Sequence, residues 1–562
     1  MAGAQEVDTI WRAVNPWGKY QFFQMVLVLV DYFPACFAIL SAVFTGFIPD
    51  FTCEIPENPT TSSPGKDISY EAKSCTYDVM ETIGNTTTNL GEQTCDKFVY
   101  ADNKSYAYEW NLVCSRSNLA ALAQSLALAG QGIGAMIMSH LADRYGRKTV
   151  HVISHICVMI TMIIMAFSKN ITMLLALRLV GGTFQQGIVC TGKILGLEMF
   201  PREVRSHTEA ISFIAWSVGI MVLTLYGYVF RDINWRYLQI GLACFSFYSL
   251  FEWWILDESL RWLVSNGRIK EAKQVLRKAA RWNNTDAKLA EQALDENTHL
   301  NDKVTVHADS SSTSESSLEM KTVPEMDVKQ EDKPVIVPER QKVEKYTVID
   351  ILKNPSLRIN TFILWYSWIV ATGTYYGMTL VSSHLAGDRF INFFLSGVIE
   401  IPALLLEFYL FNKIGRKKTM ILFFATAGLS LVVSTALLTV FAHITAVSTI
   451  AKVFSLIGKS ASTGCFSAVF LYTPEIYPTN YRNSGLGIAS SISRIGGILS
   501  PFASNLALIA LWIPGAIFGG MCLLVVILAF RLPESAKHEL PGTIAECDTW
   551  EKEDHRNVKD NL

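Results

Sequence analysis

The sequence predicts an all-α membrane protein of twelve transmembrane helices arranged as two six-helix halves. Half of the 562 residues are apolar and only 17% are charged, a balance that suits a chain immersed in lipid better than a soluble enzyme. Twelve apolar runs are long enough to cross about 30 Å of hydrocarbon, which takes roughly 20 helical residues. Three short motifs also occur twice in the same order. Glu198, Pro201 and Arg205 recur as Glu475, Pro478 and Arg482. Gly146, Arg147 and Lys148 recur as Gly415, Arg416 and Lys417, and Leu256, Glu258 and Ser259 as Leu532, Glu534 and Ser535. The near-constant phase points to a chain built from two related halves.

Residues 1–21 are polar and mixed in charge, without the basic start and short apolar core of a cleaved signal, so the first span is expected to stay as an anchor. Six spans are expected at 22–48, 119–138, 150–167, 171–195, 210–230 and 237–256, which makes the first half 22–256. Its polar loop, 49–118, holds Cys53, Cys75, Cys95 and Cys114, four of the 11 cysteines. Two disulfides are expected, with the three pairings open. The same loop carries glycosylation sequons at Asn85 and Asn103.

A linker, 257–357, follows, with an amphipathic helix near 268–281 and a solvated, disordered stretch at 309–339 rich in Ser, Glu, Lys and Pro. The second half, 358–531, is expected to span at 359–381, 390–411, 419–441, 447–472, 485–507 and 508–530, and a polar tail, 532–562, ends the chain. Basic residues concentrate at 144–148, 202–205 and 413–418 and after Arg261. Those links are expected in the cytoplasm with both termini, and the cysteine loop outside a plasma membrane.

A net charge of −2 leaves no footprint for nucleic acid. No Walker loop, nucleophile elbow or metal-spaced histidine pair is read in the chain, so ATP hydrolysis, an enzymatic reaction, a cofactor and a metal are not expected.

Asp143, Arg144, Gly146, Arg147 and Lys148, between the second and third spans, resemble the motif of the major facilitator superfamily. Glu109, Trp110, Asn111, Leu112, Val113 and Cys114 before span two, Glu258, Ser259, Arg261, Trp262 and Leu263 after span six, and the stretch from Glu475 to Arg482 resemble the organic cation, organic anion and carnitine transporter family. The resemblance implies the major facilitator fold, a glycosylated first outer loop and alternating-access transport of small organic ions. Two departures stand out. The loop motif opens with Ser139 where the family has Gly, and its second copy has Asn412 in place of Asp143.

Charged residues at the ends of rocking helices need contacts that hold one state and release in the other, and carboxylate–guanidinium pairs supply directional bonds of that kind. Asp143, Arg147, Glu198, Arg205, Glu258, Arg416, Glu475, Arg482 and Glu534 are therefore assigned to gating.

Ionisable residues inside spans cost several kcal/mol unless they face a partner or a cavity. These are Asp31, Lys193, Glu400, Glu407, Lys459 and Arg494, and an interhelical pair is the competing reading for each. By resemblance, the anion and carnitine carriers have Arg where Arg494 stands and the cation carriers have Asp, so Arg494 is expected to take a carboxylate. Glu400 is expected to balance a cationic end. Trp368 and Tyr375 lie two helical turns apart on one face, with Tyr376 beside them, and ring faces attract quaternary ammonium groups. Gln186, Phe213 and Phe466 are cavity-facing by the same resemblance. Asp31 is compatible with binding a cation, titrating a proton or taking part in Na⁺ coupling, which leaves Na⁺ or H⁺ open as the coupling ion. The reading is transport of a small amphiphilic organic ion, a carboxylate-bearing zwitterion such as carnitine or an organic anion. Its rivals are a polyspecific organic cation carrier and a non-transporting membrane sensor or receptor.

Overall fold

The computed structural model describes residues 9–15, 17–55, 67–73, 75–83, 86–201, 205–292, 294–295, 348–382, 388–441, 444–478, 481–510, 512–535, 544 and 547. Spans one to six are Lys19–Leu40, Asn118–Tyr145, Arg147–Ala166, Ile171–Glu198, Arg205–Val229 and a broken helix made of Trp235–Phe245, Ser246–Tyr248 and Ser249–Ile255. Spans seven to twelve are Pro355–Val381, Arg389–Val398 with Glu400–Lys413, Arg416–Val440, Thr445–Ile476, Arg482–Leu499 with Phe502–Ile509, and Trp512–Ala529. Two breaks have a local cause. Pro402 has no N–H to give Val398, and its ring crowds that carbonyl, so span eight restarts at Glu400. Span eleven breaks in the same way ahead of Pro501, which precedes its second piece.

Among the described residues, nine helices are by themselves long and apolar enough to cross a membrane. The spans that fall short are six, seven and eleven, and these carry Glu252, the Tyr375–Tyr376 pair and Arg494. Polar groups that serve the interior lower the hydropathy of the helix that bears them.

One apolar core fills the first half around Phe37, Val158, Met162 and Leu223 and runs on into Tyr375, Tyr376, Phe390 and Phe393 of the second. A separate core around Leu364, Trp368, Phe424 and Tyr472 fills the second half. The halves meet where span five packs on span eight and span two on span eleven. Asn505 donates to Asn118 at 2.8 Å, Ser125 donates to the Ile498 carbonyl at 2.7 Å, and Phe44 stacks on Phe390 at 5.2 Å. These joints lie toward the end of the bundle that carries the cysteine loop. Arg147–Glu198 and Arg416–Glu475, ion pairs of the duplicated motifs at the other end, each lie within one half.

The loop itself contains structure that an all-α reading does not foresee. β1 (Phe51–Cys53) pairs antiparallel with β5 (Phe98–Tyr100), and β2 (Asp67–Ala72), β3 (Thr76–Ile83) and β4 (Thr86–Thr94) form a second antiparallel sheet. Of the three pairings, the fold takes Cys53–Cys95 and Cys75–Cys114. Asn103 is exposed; Asn85 lies outside the described residues. Glu109 anchors the loop to span six by accepting from Trp235 Nε1 at 2.8 Å and from Arg236. Arg236 also donates to the carbonyls of Ala166 and Ser168 at 2.6 and 2.7 Å.

The expected amphipathic helix runs Ile269–Asn283, and its buried Ala272, Leu276, Ala279 and Ala280 pack on Ile10, Trp11, Val14 and Tyr20. The stretch 309–339 lies outside the described residues, as does nearly all of the tail beyond residue 535.

The pairing gives a direct test. Peptide mapping of unreduced protein by mass spectrometry should recover the 53–95 and 75–114 links, and Cys53→Ser should newly expose Cys95, but not Cys75 or Cys114, to alkylation. Each lost crosslink should destabilise the loop by about 2–4 kcal/mol.

Candidate functional site: a cavity between the halves

Between the halves lies a cavity of about 1040 Å³, part of it continuous with solvent. Its first-half wall comes from Tyr32, Gln131, Gln186, Lys193, Phe213 and Trp216, and its second-half wall from Tyr375, Tyr376, Glu400, Phe466, Phe470 and Arg494. Spans one, two, four, five, seven, eight, ten and eleven therefore all contribute, as expected where two bundles meet near the membrane midplane.

Arg494 reaches across from span eleven. Its Nη1 donates to Gln131 Oε1 at 2.8 Å, and Gln131 Nε2 donates in turn to Gln185 Oε1 at 2.8 Å. The two glutamines orient the guanidinium without neutralising it. Its Nε is buried with no hydrogen-bond partner among the described residues, which leaves donors for an acceptor brought by a ligand. Lys193 places its ammonium 3.2 Å from the centre of the Phe470 ring on the facing half.

Glu400 is differently placed. Lys459 Nζ lies 2.8 Å from its Oε1, and both side chains are 1% exposed. Ser217 donates to Oε2 at 2.7 Å from the opposite half, and the Tyr375 hydroxyl is 3.5 Å from the same oxygen. Trp216 Nε1 donates to the Tyr375 hydroxyl at 2.8 Å. The carboxylate expected to face a substrate ammonium thus already holds an internal one.

The rings form a connected wall. Tyr375 stacks on Phe466 at 5.9 Å and meets Tyr376 edge-on at 5.3 Å, while Phe213 meets Phe466 at 6.3 Å. Trp368 stands behind this wall instead of in it: its Nε1 donates to Thr473 Oγ1 at 2.8 Å and its ring packs on Phe466 and Phe470. Asp31 does not reach the cavity either. It turns into the first half, and its neighbour Tyr32 takes the lining position.

The comparisons with known proteins agree in direction. The model of the Major Facilitator Superfamily matches residues 115–501. An organic cation transporter protein of Drosophila melanogaster is 30% identical over 97% of this chain and 95% of its own length. The organic cation/carnitine transporter 2 of Homo sapiens is 28% identical over 96% of this chain and 93% of its own. The chain belongs to the organic cation, anion and carnitine transporter family of the major facilitator superfamily. The xylose transporter XylE from E. coli, in a partially occluded inward open conformation, superposes with a TM-score of 0.58 at 15% identity, covering 93% of this chain and 100% of that one, and so shares the fold. The protein is a multi-pass membrane transporter.

In this transporter the duplicated motifs build the same clamp twice. Gly146 has φ +105° and Gly415 φ +99°, a region that favours glycine. A Cβ there would lie 2.2 Å from Glu258 Oε2 in one half and 2.8 Å from the Glu534 carboxylate in the other. Glu258 accepts from the N–H groups of Arg147 and Lys148 at 2.9 and 3.1 Å, and Glu534 from those of Arg416 and Lys417 at 2.8 and 3.4 Å. Each glutamate satisfies orphan donors at the start of a span, where the helix dipole also favours a negative charge. Arg147 pairs with Glu198 and Arg416 with Glu475, both at 3.5 Å. Ser259 donates to Glu198, and Ser535 to Glu475 at 2.6 Å. Asp143 adds a 3.0 Å pair to Arg147, whereas Asn412 donates to the Phe408 carbonyl. Arg205 and Arg482 begin spans five and eleven; the side chain of Arg205 lies outside the described residues.

Several site residues escaped the sequence reading. Gln131, Gln185, Trp216, Ser217 and Phe470 belong to the cavity or its ion pair, and the only signal for the glutamines was polarity within an apolar run. The reading of no metal-spaced histidine pair is corrected outright. His151 and His155 are four residues apart on one face of span three, and they form a buried cluster with Asp31 and Glu252.

Removing Lys459 alone should be costly, because it leaves a carboxylate buried without a partner. Lys459→Ala is expected to lose about 3–5 kcal/mol in thermal unfolding of the detergent-purified protein, and the double variant Lys459→Met with Glu400→Gln should recover most of it.

Proposed function

We propose that this transporter moves an amphiphilic organic anion across the plasma membrane by alternating access, with the substrate carboxylate on Arg494 and its apolar body against Tyr375, Tyr376 and Phe466. The observation that carries the reading is the charge of the cavity. Its charged lining residues are Lys193, Arg494 and Glu400, and Lys459 already satisfies Glu400. Arg494 is oriented by an amide and paired to no carboxylate among the described residues, and an oriented guanidinium binds a carboxylate through two parallel bonds. A cationic substrate would have to displace a buried ammonium to reach Glu400. A carnitine-like zwitterion is the second reading, favoured by the stacked ring wall, which could hold a quaternary ammonium at about 0.5–2 kcal/mol per ring.

The substrate crosses chemically unchanged in this scheme. The oxidised cysteine pairs support an extracellular loop, and the basic residues of the motif end support a cytoplasmic face with both termini. The clamps at Glu198 and Glu475 keep each motif end rigid, so that each half tilts as a body and the joints at the loop end are what must part.

Arg494→Ala should reduce uptake of labelled benzoate on the order of 10- to 100-fold, the equivalent of about 1.5–3 kcal/mol for a bond to a charged group. Arg494→Lys, which keeps the charge but not the fork, should fall between, and surface biotinylation normalises both. Undiminished benzoate uptake in Arg494→Ala would remove the anion reading. Rapid uptake of tetraethylammonium by the wild type would favour the cation carrier instead.

A further inference from the structure

Behind the first-half wall of the cavity lies a knot of titratable groups that the substrate site does not use. Asp31 of span one, His151 and His155 of span three and Glu252 of span six are all buried. His151 Nε2 lies 2.9 Å from Asp31 Oδ2 and 3.2 Å from Glu252 Oε1. His155 Nδ1 lies 2.9 Å from Glu252 Oε2 and 3.6 Å from Asp31 Oδ1. Tyr248 donates its hydroxyl to Asp31 Oδ1 at 2.6 Å. Gly192 makes the room, since a Cβ there would lie 3.1 Å from His151 Cε1. Around the knot the packing is apolar, through Met25, Val28, Val152, Leu195 and Leu256.

The hydrogen bonds of the knot point to how many protons it holds. Thr191 gives its single hydroxyl proton to the Gly187 carbonyl at 2.6 Å, so toward His151 Nδ1, 2.9 Å away, it must accept. His151 Nδ1 therefore carries hydrogen. On the other side of the ring, Nε2 faces two carboxylate oxygens, and a bare lone pair there would be repelled by both. The Nε2 hydrogen is directed at Asp31 Oδ2, while Glu252 Oε1, 3.2 Å away, has no hydrogen bond among the described residues, and His151 is then an imidazolium beside two acids. His155 donates Nδ1–H to Glu252, and its Nε2 is buried with no partner among the described residues. Two carboxylates against one imidazolium leave a net charge of −1 in an apolar core, where an unbalanced charge is expensive. One more proton within the four groups makes the knot neutral.

The charged groups on the surrounding elements are engaged elsewhere. Lys148, one turn before His151, lies over the Trp253 ring, and Lys193, two residues after Thr191, lies over Phe470. Asp257, beyond span six, is held by Lys278 at 2.6 Å. Arg236, earlier in span six, binds Glu109 at the loop end. The knot lies beside the cavity wall in the chain, since Tyr32 follows Asp31 and Cys190 precedes Thr191, and both Tyr32 and Cys190 line the cavity.

We propose that Asp31, His151, His155 and Glu252 form a proton-binding site, and that a proton taken up there from one side and released to the other is coupled to the transport cycle. Histidine is the side chain whose charge is most readily switched near neutral pH. A bound metal is the less apt occupant, since His151 Nε2 and His155 Nδ1 already hold Asp31 Oδ2 and Glu252 Oε2 at 2.9 Å, which leaves His155 Nε2 and Glu252 Oε1 as the unbonded atoms among the described residues. The inference rests on the protein being a transporter and is independent of which organic ion Arg494 holds.

The test uses full-length protein in liposomes. A pH jump across a solid-supported membrane, with no substrate present, should give a transient charge displacement in the wild type that is lost in Asp31→Asn and in His155→Gln. With benzoate as the probe, an inward proton gradient should drive accumulation of about tenfold per pH unit if one proton accompanies each substrate, and His155→Gln should abolish that response. A wild type with neither the displacement nor the response overturns the proposal, as do variants that respond like the wild type. Saturable Zn²⁺ binding by calorimetry, lost in His155→Gln, would assign the knot to a metal and also overturn it. Benzoate counterflow at equal pH separates the two readings: a pH-jump signal without counterflow sinks the anion substrate and leaves the proton site standing. Should a variant fail to fold, the wild-type displacement decides alone.

Discussion

A charge in hydrocarbon has no water to solvate it, and this constraint arranges the interior of the protein. Lys459 and Glu400 lie deep in the second half at 2.8 Å from one another, while Asp31 and Glu252 in the first half share the ring nitrogens of two histidines. Arg494 is the contrasting case, because two amides orient it and no carboxylate neutralises it. The polar interior therefore divides into charges that the fold has settled and a guanidinium that lines the cavity. Ser217 extends the settled set across the boundary between halves, so the Lys459–Glu400 pair belongs at once to the stability of the second half and to its contact with the first.

Duplication explains the regularity of the other end. In each half a glutamate from the segment after the last span caps the start of the third, and a glycine of positive φ gives it space. An arginine of the capped turn then reaches the glutamate that closes the fourth span or its counterpart. The clamp is internal to one half, which suits a body that must move without deforming. Where the halves do touch, toward the cysteine loop, contacts are largely apolar packing and a few neutral hydrogen bonds.

Much of this was legible before any coordinates. Apolar run length, the phase of the repeated motifs and the amphipathic pattern of 268–281 are local properties, and each corresponds to a helix or a clamp. The small sheets of the outer loop were not legible, because short polar strands there lack a buried face to impose alternation. Lys459 read as one buried cation among several, and the residue it neutralises, 59 positions earlier, could not be named. His151 and His155 had the spacing of a functional pair, but their meaning depends on carboxylates brought in from spans one and six.

The sequence by itself determined the membrane fold, the two-half plan and the family, since hydropathy and motif phase are carried by neighbours along the chain. Only the tertiary structure decided which charges cancel. Coulomb attraction and hydrogen bonding act over a few ångströms in space, and the groups that share a proton or an ion pair here lie on helices far apart in order. For that reason Glu400 is found paired with Lys459, Asp31 lies in a histidine knot and not in the cavity, and Arg494 lines the cavity beside two glutamines.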